Sequence, residues 1–75
     1  MINEVILLDN LEKVNKFVGI TTAKSYDIYL TSGKYVVNAK SIMGVFSLDL
    51  TKPLNVQCQD DPDFLDQIKE FKPAE

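Results

Sequence analysis

Residues 26–48 read YDIYLTSGKYVVNAKSIMGVFSL, and this stretch decides the fold. Tyr26, Ile28 and Leu30 alternate with Asp27, Tyr29 and Thr31, the period of a half-buried strand. Ser32-Gly33 predicts a two-residue turn, and "KYVVNA" returns as the partner strand of a hairpin. Ser41 then stands where a helix cap belongs. The segment Ser41–Leu48 is predicted as a short helix with Gly44 inside it.

Outward from the hairpin, the remaining elements fall into place. "EVILL" (Glu4–Leu8) is a β-rich run stopped by Asp9-Asn10. Leu11, Val14, Phe17, Val18 and Thr21 recur at helical spacing, which predicts an amphipathic helix from 11 to about 23 with Asn10 as its cap. Gly19 weakens that helix by about 1 kcal/mol relative to alanine, so packing or a close approach is expected there. Pro53 opens a last strand in which Leu54, Val56 and Cys58 face one way and Asn55, Gln57 and Gln59 the other. Asp61-Pro62 reads as the cap and first residue of a final helix. Phe64, Leu65, Ile68 and Phe71 form its apolar stripe, and Pro73 ends it. The order β-α-β-β-α-β-α predicts an α+β fold: a four-stranded, mainly antiparallel sheet with three helices on one face.

Composition narrows the function. With 75 residues the chain is expected to form one domain, 1–75. A chain of that size buries only about 60% of the surface its unfolded form exposes, so few side chains can be spared from the core. A net charge of −3, with every basic residue a lysine, argues against nucleic acid as a partner. No arginine is present to make a bidentate phosphate fork. A lone Cys58 excludes an internal disulfide and fits a reducing compartment. The opening "MINEVILLDN" has neither a basic leader nor a long apolar run, so the expected location is cytoplasmic, away from membranes. Without histidine, Cys58 cannot build a metal site. The run Asp60, Asp61, Asp63 is interrupted by Phe64 and Leu65 and reads as helix N-terminal charge, not a calcium loop. No metal and no cofactor are expected. Tyr26, Tyr29 and Tyr35 lack the basic groove of a nucleic-acid stacking platform.

"VNAKSIMGVFSL" resembles the third strand, regulatory serine and second helix of the HPr family, the small histidine-containing phosphocarriers of bacterial sugar transport. "YDIYLTSGKYVVNA" is similar to the hairpin that leads into it, and from Tyr26 onward the chain lies on the family pattern without gaps. The resemblance implies the HPr-like open-faced β-sandwich. It also places the family's phosphorylated histidine on Asn10, its arginine on Glu12 and the following proline on Lys13. The lead-in loop is shortened to "LLDN".

All three features of the histidine site are therefore missing together. An amide nitrogen is not nucleophilic, because its lone pair is delocalised into the carbonyl, and phosphoryl carriage needs a nucleophile such as neutral imidazole. Glu12 would also repel an incoming phosphate. Histidine phosphotransfer is excluded on chemical grounds, and no enzymatic activity is expected.

Ser41 is an N-cap first, contributing on the order of 1 kcal/mol. The resemblance adds regulatory phosphorylation at Ser41 by an HPr-type serine kinase, with Lys40 beside it. Ile42, Met43 and Phe46 match the family's partner-docking patch and, with Lys40, are the expected partner-binding residues, although the spacing of the three is also that of a core stripe. Val45 and Leu48 compete for the inward face of the helix. The implied function resembles that of the Crh-like paralogues: no histidine, a retained serine and a role in carbon-catabolite regulation. The implied partners are the kinase and a transcriptional regulator or other regulatory target. The other reading is a repurposed HPr-fold domain with an unrelated partner or ligand and no phosphorylation.

Overall fold

The computed structural model describes residues 2–73. Strand β1 (Ile2–Ile6) leads to helix α1 (Leu11–Thr22), then β2 (Ile28–Ser32) and β3 (Tyr35–Asn38). Helix α2 (Ile42–Phe46), β4 (Leu54–Cys58), α3 (Pro62–Ile68) and a 3-10 turn (Lys69–Phe71) complete the chain. The sheet runs β1-β4-β2-β3, and all three strand pairs are antiparallel.

The register explains which face carries the core. Ile6 lies opposite Leu54, and Leu30 lies opposite both Val56 and Val37. Ile6, Ile28, Leu30, Leu54 and Val56 are all buried, in one cluster with Val14 and Phe17 of α1, Val45 of α2 and Phe64 and Ile68 of α3. The opposite sheet face carries Val5, Tyr29 and Val36, all exposed. The helices thus cover one face and leave the other open. Phe17 and Phe71 meet edge to face, with centroids 5.8 Å apart, and tie α1 to the C-terminal turn.

Several boundaries differ from the sequence reading: β2 starts at Ile28, not Tyr26, the last helix becomes a 3-10 turn after Ile68, and three others each have an identifiable reason. The first strand is Ile2–Ile6, not Glu4–Leu8, because pairing runs from Ile2↔Cys58 to Ile6↔Leu54. Leu7 has already left the sheet and donates its N–H to the Phe71 carbonyl at 2.7 Å, while Leu8 plugs the core. The hairpin turn is Gly33-Lys34, not Ser32-Gly33, since Ser32 pairs with Tyr35. Gly33 has φ 61° and Lys34 does not share the left-handed region, the pattern of a type II′ turn, which favours glycine at its first position. The helix after Ser41 has five residues, Ile42–Phe46, and not eight. Leu48 reaches the core from beyond its end.

Candidate functional site

Two helix N-termini carry the residues of interest. At α1, the Asn10 side-chain oxygen accepts the Lys13 N–H at 2.8 Å, a regular cap. Asp9 lies in an ion pair with the Lys13 ammonium at 2.9 Å. That hydrogen bond to Lys13 is the main cause holding the Asp9 carboxyl below its usual range. The nearby cation is thus already neutralised, and Glu12 is left exposed in the first turn. A shallow cleft of about 200 Å³ alongside is lined by Glu12, Lys13, Lys16, Glu70 and Phe71. Its Lys16 ammonium sits 2.7 Å from Glu70. Nothing in this geometry recruits a phosphate: the cap oxygen is occupied, the amide is not a nucleophile, and anions face the solvent.

At α2, the Ser41 hydroxyl oxygen accepts the Gly44 N–H at 3.2 Å. Around this second cap the surface is apolar. Met43 is 78% exposed, Phe46 44% and Ile42 37%, while Val45 points into the core. A helix this short buries a single line of residues and must present the others. A cluster of exposed large apolar groups is the feature that calls for explanation in a globular domain. A β-carbon at Gly44 would stand 3.5 Å from Val37 and from Ser41, so the helix packs close to β3.

Lys40 does not stand free beside Ser41. Its ammonium donates to the Lys24 carbonyl at 2.8 Å, and its stem is half-buried. The Lys24 carbonyl lies just past Ala23, the C-cap of α1, so this bond holds the segment before Ser41 to the end of that helix. The buried Thr21 hydroxyl donates to the Ala39 carbonyl at 2.8 Å, fixing the same junction. The expected role of Lys40 in partner contact is thus overlaid by a structural one: it clamps the segment before Ser41 onto α1.

Leu11 also departs from expectation. Placed in the core stripe by its spacing, it is 61% exposed, because it is the first residue of α1 and lies beyond the core that Val14, Phe17 and Thr21 enter. At about 3.6 residues per turn, Leu11, Asn15, Val18 and Thr22 share one flank of α1, and Lys13 and Lys16 lie on the other. The Lys16–Glu70 pair turns the charged flank toward the C-terminal turn. The uncharged flank is therefore turned away from the C-terminal turn. Sequence periodicity alone could not separate an exposed first-turn leucine from a core leucine. Gly19, where a close approach was expected, has nothing within 4 Å of a β-carbon position.

The remaining candidates are structural. Cys58 is buried in β4, and burial pushes its thiol above the usual range, the environment of an inert core thiol. Asp61 caps α3 through the Asp63 and Phe64 N–H groups, accepts the Tyr26 hydroxyl at 2.7 Å and lies 3.9 Å from the Lys24 ammonium. The Tyr26 hydrogen bond is the main cause lowering its pKa. Among the described residues no group of three or more histidine, cysteine or carboxylate side chains is placed to share a metal ion. No helix there is long and apolar enough to cross a membrane.

No family model and no curated protein sequence matches the chain. Solved structures do. The chain is similar to HPr-C-His from Thermoanaerobacter tengcongensis, with 23% identity over 93% of this chain and 89% of that one and a TM-score of 0.75. It is also similar to the phosphocarrier protein HPr from Bacillus anthracis str. Ames, with 22% identity over 96% of each chain and a TM-score of 0.66. With an all-antiparallel sheet in the order β1-β4-β2-β3, three helices on one face and near-complete overlap with both structures, this chain has the fold of the HPr phosphocarriers.

Proposed function

We propose that this protein is a regulatory binding module on the HPr fold, without phosphoryl-carrier or other catalytic activity, that engages a protein partner through Ile42, Met43 and Phe46. The observation that carries this reading is the exposure of those three side chains around the capped start of α2. Methionine suits such a surface because its unbranched, polarizable side chain adapts to different contacts. Leu11, 61% exposed at the start of α1, is a further apolar side chain open to contact. Where the fold's phosphocarriers hold histidine, this chain has Asn10 between Asp9 and Glu12, which removes the nucleophile and sets the local charge against phosphate.

Phosphorylation at Ser41 by an HPr-type kinase is the proposed control. The hydroxyl is exposed, and a dianion there would lie at the positive end of α2, where it is tolerated. The patch would gain a charged rim without losing its apolar centre, so a partner reading both features would tell the two states apart. Lys40 favours the second reading, an unphosphorylated repurposed domain, because its ammonium is spent on the Lys24 carbonyl and does not wait beside the serine. The deciding experiment is affinity capture on immobilised protein with and without kinase treatment, followed by quantitative binding of the captured partner to wild type and to Met43→Ala. Binding that requires Met43 and changes with Ser41 phosphate supports the regulatory module. Binding that requires Met43 and ignores kinase treatment supports the repurposed domain. Binding indifferent to Met43 contradicts both.

A further inference from the structure

The two edges of the sheet are finished differently. Along β1 the chain returns after α3: the Phe71 carbonyl takes the Leu7 N–H at 2.7 Å, and Lys72 approaches Glu4 at 3.5 Å. That edge is partly covered and carries a charge, both ordinary devices against strand pairing. At β3 neither device is found among the described residues. Tyr35–Asn38 contains no charge and no proline, and its pairing with β2 is unbroken from Ser32↔Tyr35 to Tyr29↔Asn38, without a bulge. Tyr35 is 68% and Val36 62% exposed.

The backbone of β3 is also aimed outward at defined positions. Ala39 donates to the Ile28 carbonyl at 2.9 Å, so by alternation Val37 and Tyr35 bond to β2, and Val36 turns its peptide groups away from the sheet; Asn38 does too, its carbonyl accepting the Ser41 N–H at 3.0 Å. We propose that this edge pairs with a second copy of the chain: two β3 strands run antiparallel with Val36 opposite Val36 of the second copy, and two four-stranded sheets become one of eight.

The register follows from the side chains. Centring on Val36 places its peptide groups opposite their own kind with both hydrogen bonds available, as a two-fold axis requires. Tyr35 then faces Val37 of the second copy, twice, on the helix-covered side, an aromatic and β-branched pairing that sheets favour. Lys34 meets Asn38, so no like charges oppose one another. For a chain of net charge −3, an uncharged edge is where two copies meet with least repulsion. On the open face beside it, Tyr29, Thr31 and Asn38 add no charge either. A four-residue edge falls well short of the ~800 Å² per partner of a stable interface, so the dimer is reversible and grows with concentration.

Sedimentation equilibrium over a concentration series, combined with oxidation of a Val36→Cys variant, tests this. The expected result is a monomer–dimer equilibrium that Val36→Lys abolishes while Val5→Lys, on β1, leaves it intact, all three proteins keeping the wild-type circular dichroism. Val36→Cys is expected to form an intermolecular disulfide, because directly opposed hydrogen-bonded residues stand about 5.5 Å apart between Cα atoms. Lys34→Cys is expected to cross-link far more slowly. A monomer at every concentration with no Val36→Cys cross-link, or a dimer untouched by Val36→Lys, overturns the proposal.

Discussion

The starts of α1 and α2 are built alike and surrounded differently. Each has an uncharged polar cap whose side-chain oxygen accepts the N–H three residues on, Asn10 from Lys13 and Ser41 from Gly44. Around Asn10 stand Asp9, Glu12 and Lys13, paired or facing solvent. Around Ser41 stand Ile42, Met43 and Phe46, all exposed and apolar. Cap chemistry therefore fixes where both helices begin and says nothing of what either end does. The neighbouring side chains decide that, and they make one end a solvated terminus and the other an exposed apolar surface, the proposed docking site.

The largest expected effect lies in partner binding, where the two ends should part most clearly. Met43→Ala is expected to weaken binding at least tenfold, about 1.4 kcal/mol or more. Because Met43 is exposed, stability should move by no more than about 0.5 kcal/mol. Glu12→Ala, at the other end, should leave binding unchanged. Calorimetric titration of the two variants makes the comparison, and equal losses would erase the distinction between the ends.

In stability the ends should behave alike. Asn10→Ala and Ser41→Ala should each cost about 0.5–2 kcal/mol in chemical denaturation, since each removes one cap. A much larger loss at Ser41 would mean that the serine supports more than α2. Gly19→Ala should raise stability by about 0.4–1 kcal/mol, because open space surrounds the glycine and the helix gains propensity. If instead it weakens partner binding at unchanged fold, the uncharged flank of α1 belongs to the docking surface.

The smallest expected effect is in the acid limb, at the third α-helix cap. Asp61 is charged, and the Tyr26 hydroxyl, the α3 N–H groups and Lys24 hold its pKa below the usual value. A carboxyl depressed in the folded state stabilises above its unfolded pKa of about 3.9, and that contribution is lost as pH falls through the folded value. Asp61→Asn should therefore flatten the pH dependence of stability in that window. Asn10 and Ser41, which do not titrate there, should leave the slope unchanged when replaced by alanine.

Much of the fold was legible because the side-chain periods are strong. The alternation Leu54, Val56, Cys58, the Asp61-Pro62 helix start and the Ser41 cap stand in the structure as the residues alone suggest. The boundary of the first strand was misplaced for a non-local reason. Local apolar density marks Leu7 and Leu8 as strand, but the register with β4 is set by a segment some fifty residues away. Leu11 was misread because helical spacing cannot say how far a core extends past a helix end. The contact that Lys40 makes within the fold was hidden because its partner is a backbone carbonyl at Lys24, which no side-chain pattern reveals. At the candidate site, the absence of histidine and the serine cap could be read directly. The exposure of Met43 and Phe46 could not, since a five-residue helix and an eight-residue helix divide the same apolar residues differently between core and surface.

The central claim is that phosphate chemistry has left the α1 terminus and that regulation acts at α2. Intact-mass spectrometry of the protein after two parallel incubations tests it most directly, one with enzyme I and phosphoenolpyruvate and one with an HPr-type serine kinase and ATP. The account predicts an unmodified protein in the first and a single phosphoryl group in the second, mapped by fragmentation to Ser41. A stoichiometric acid-labile phosphoryl group in the first, or an untouched Ser41 in the second, would contradict it.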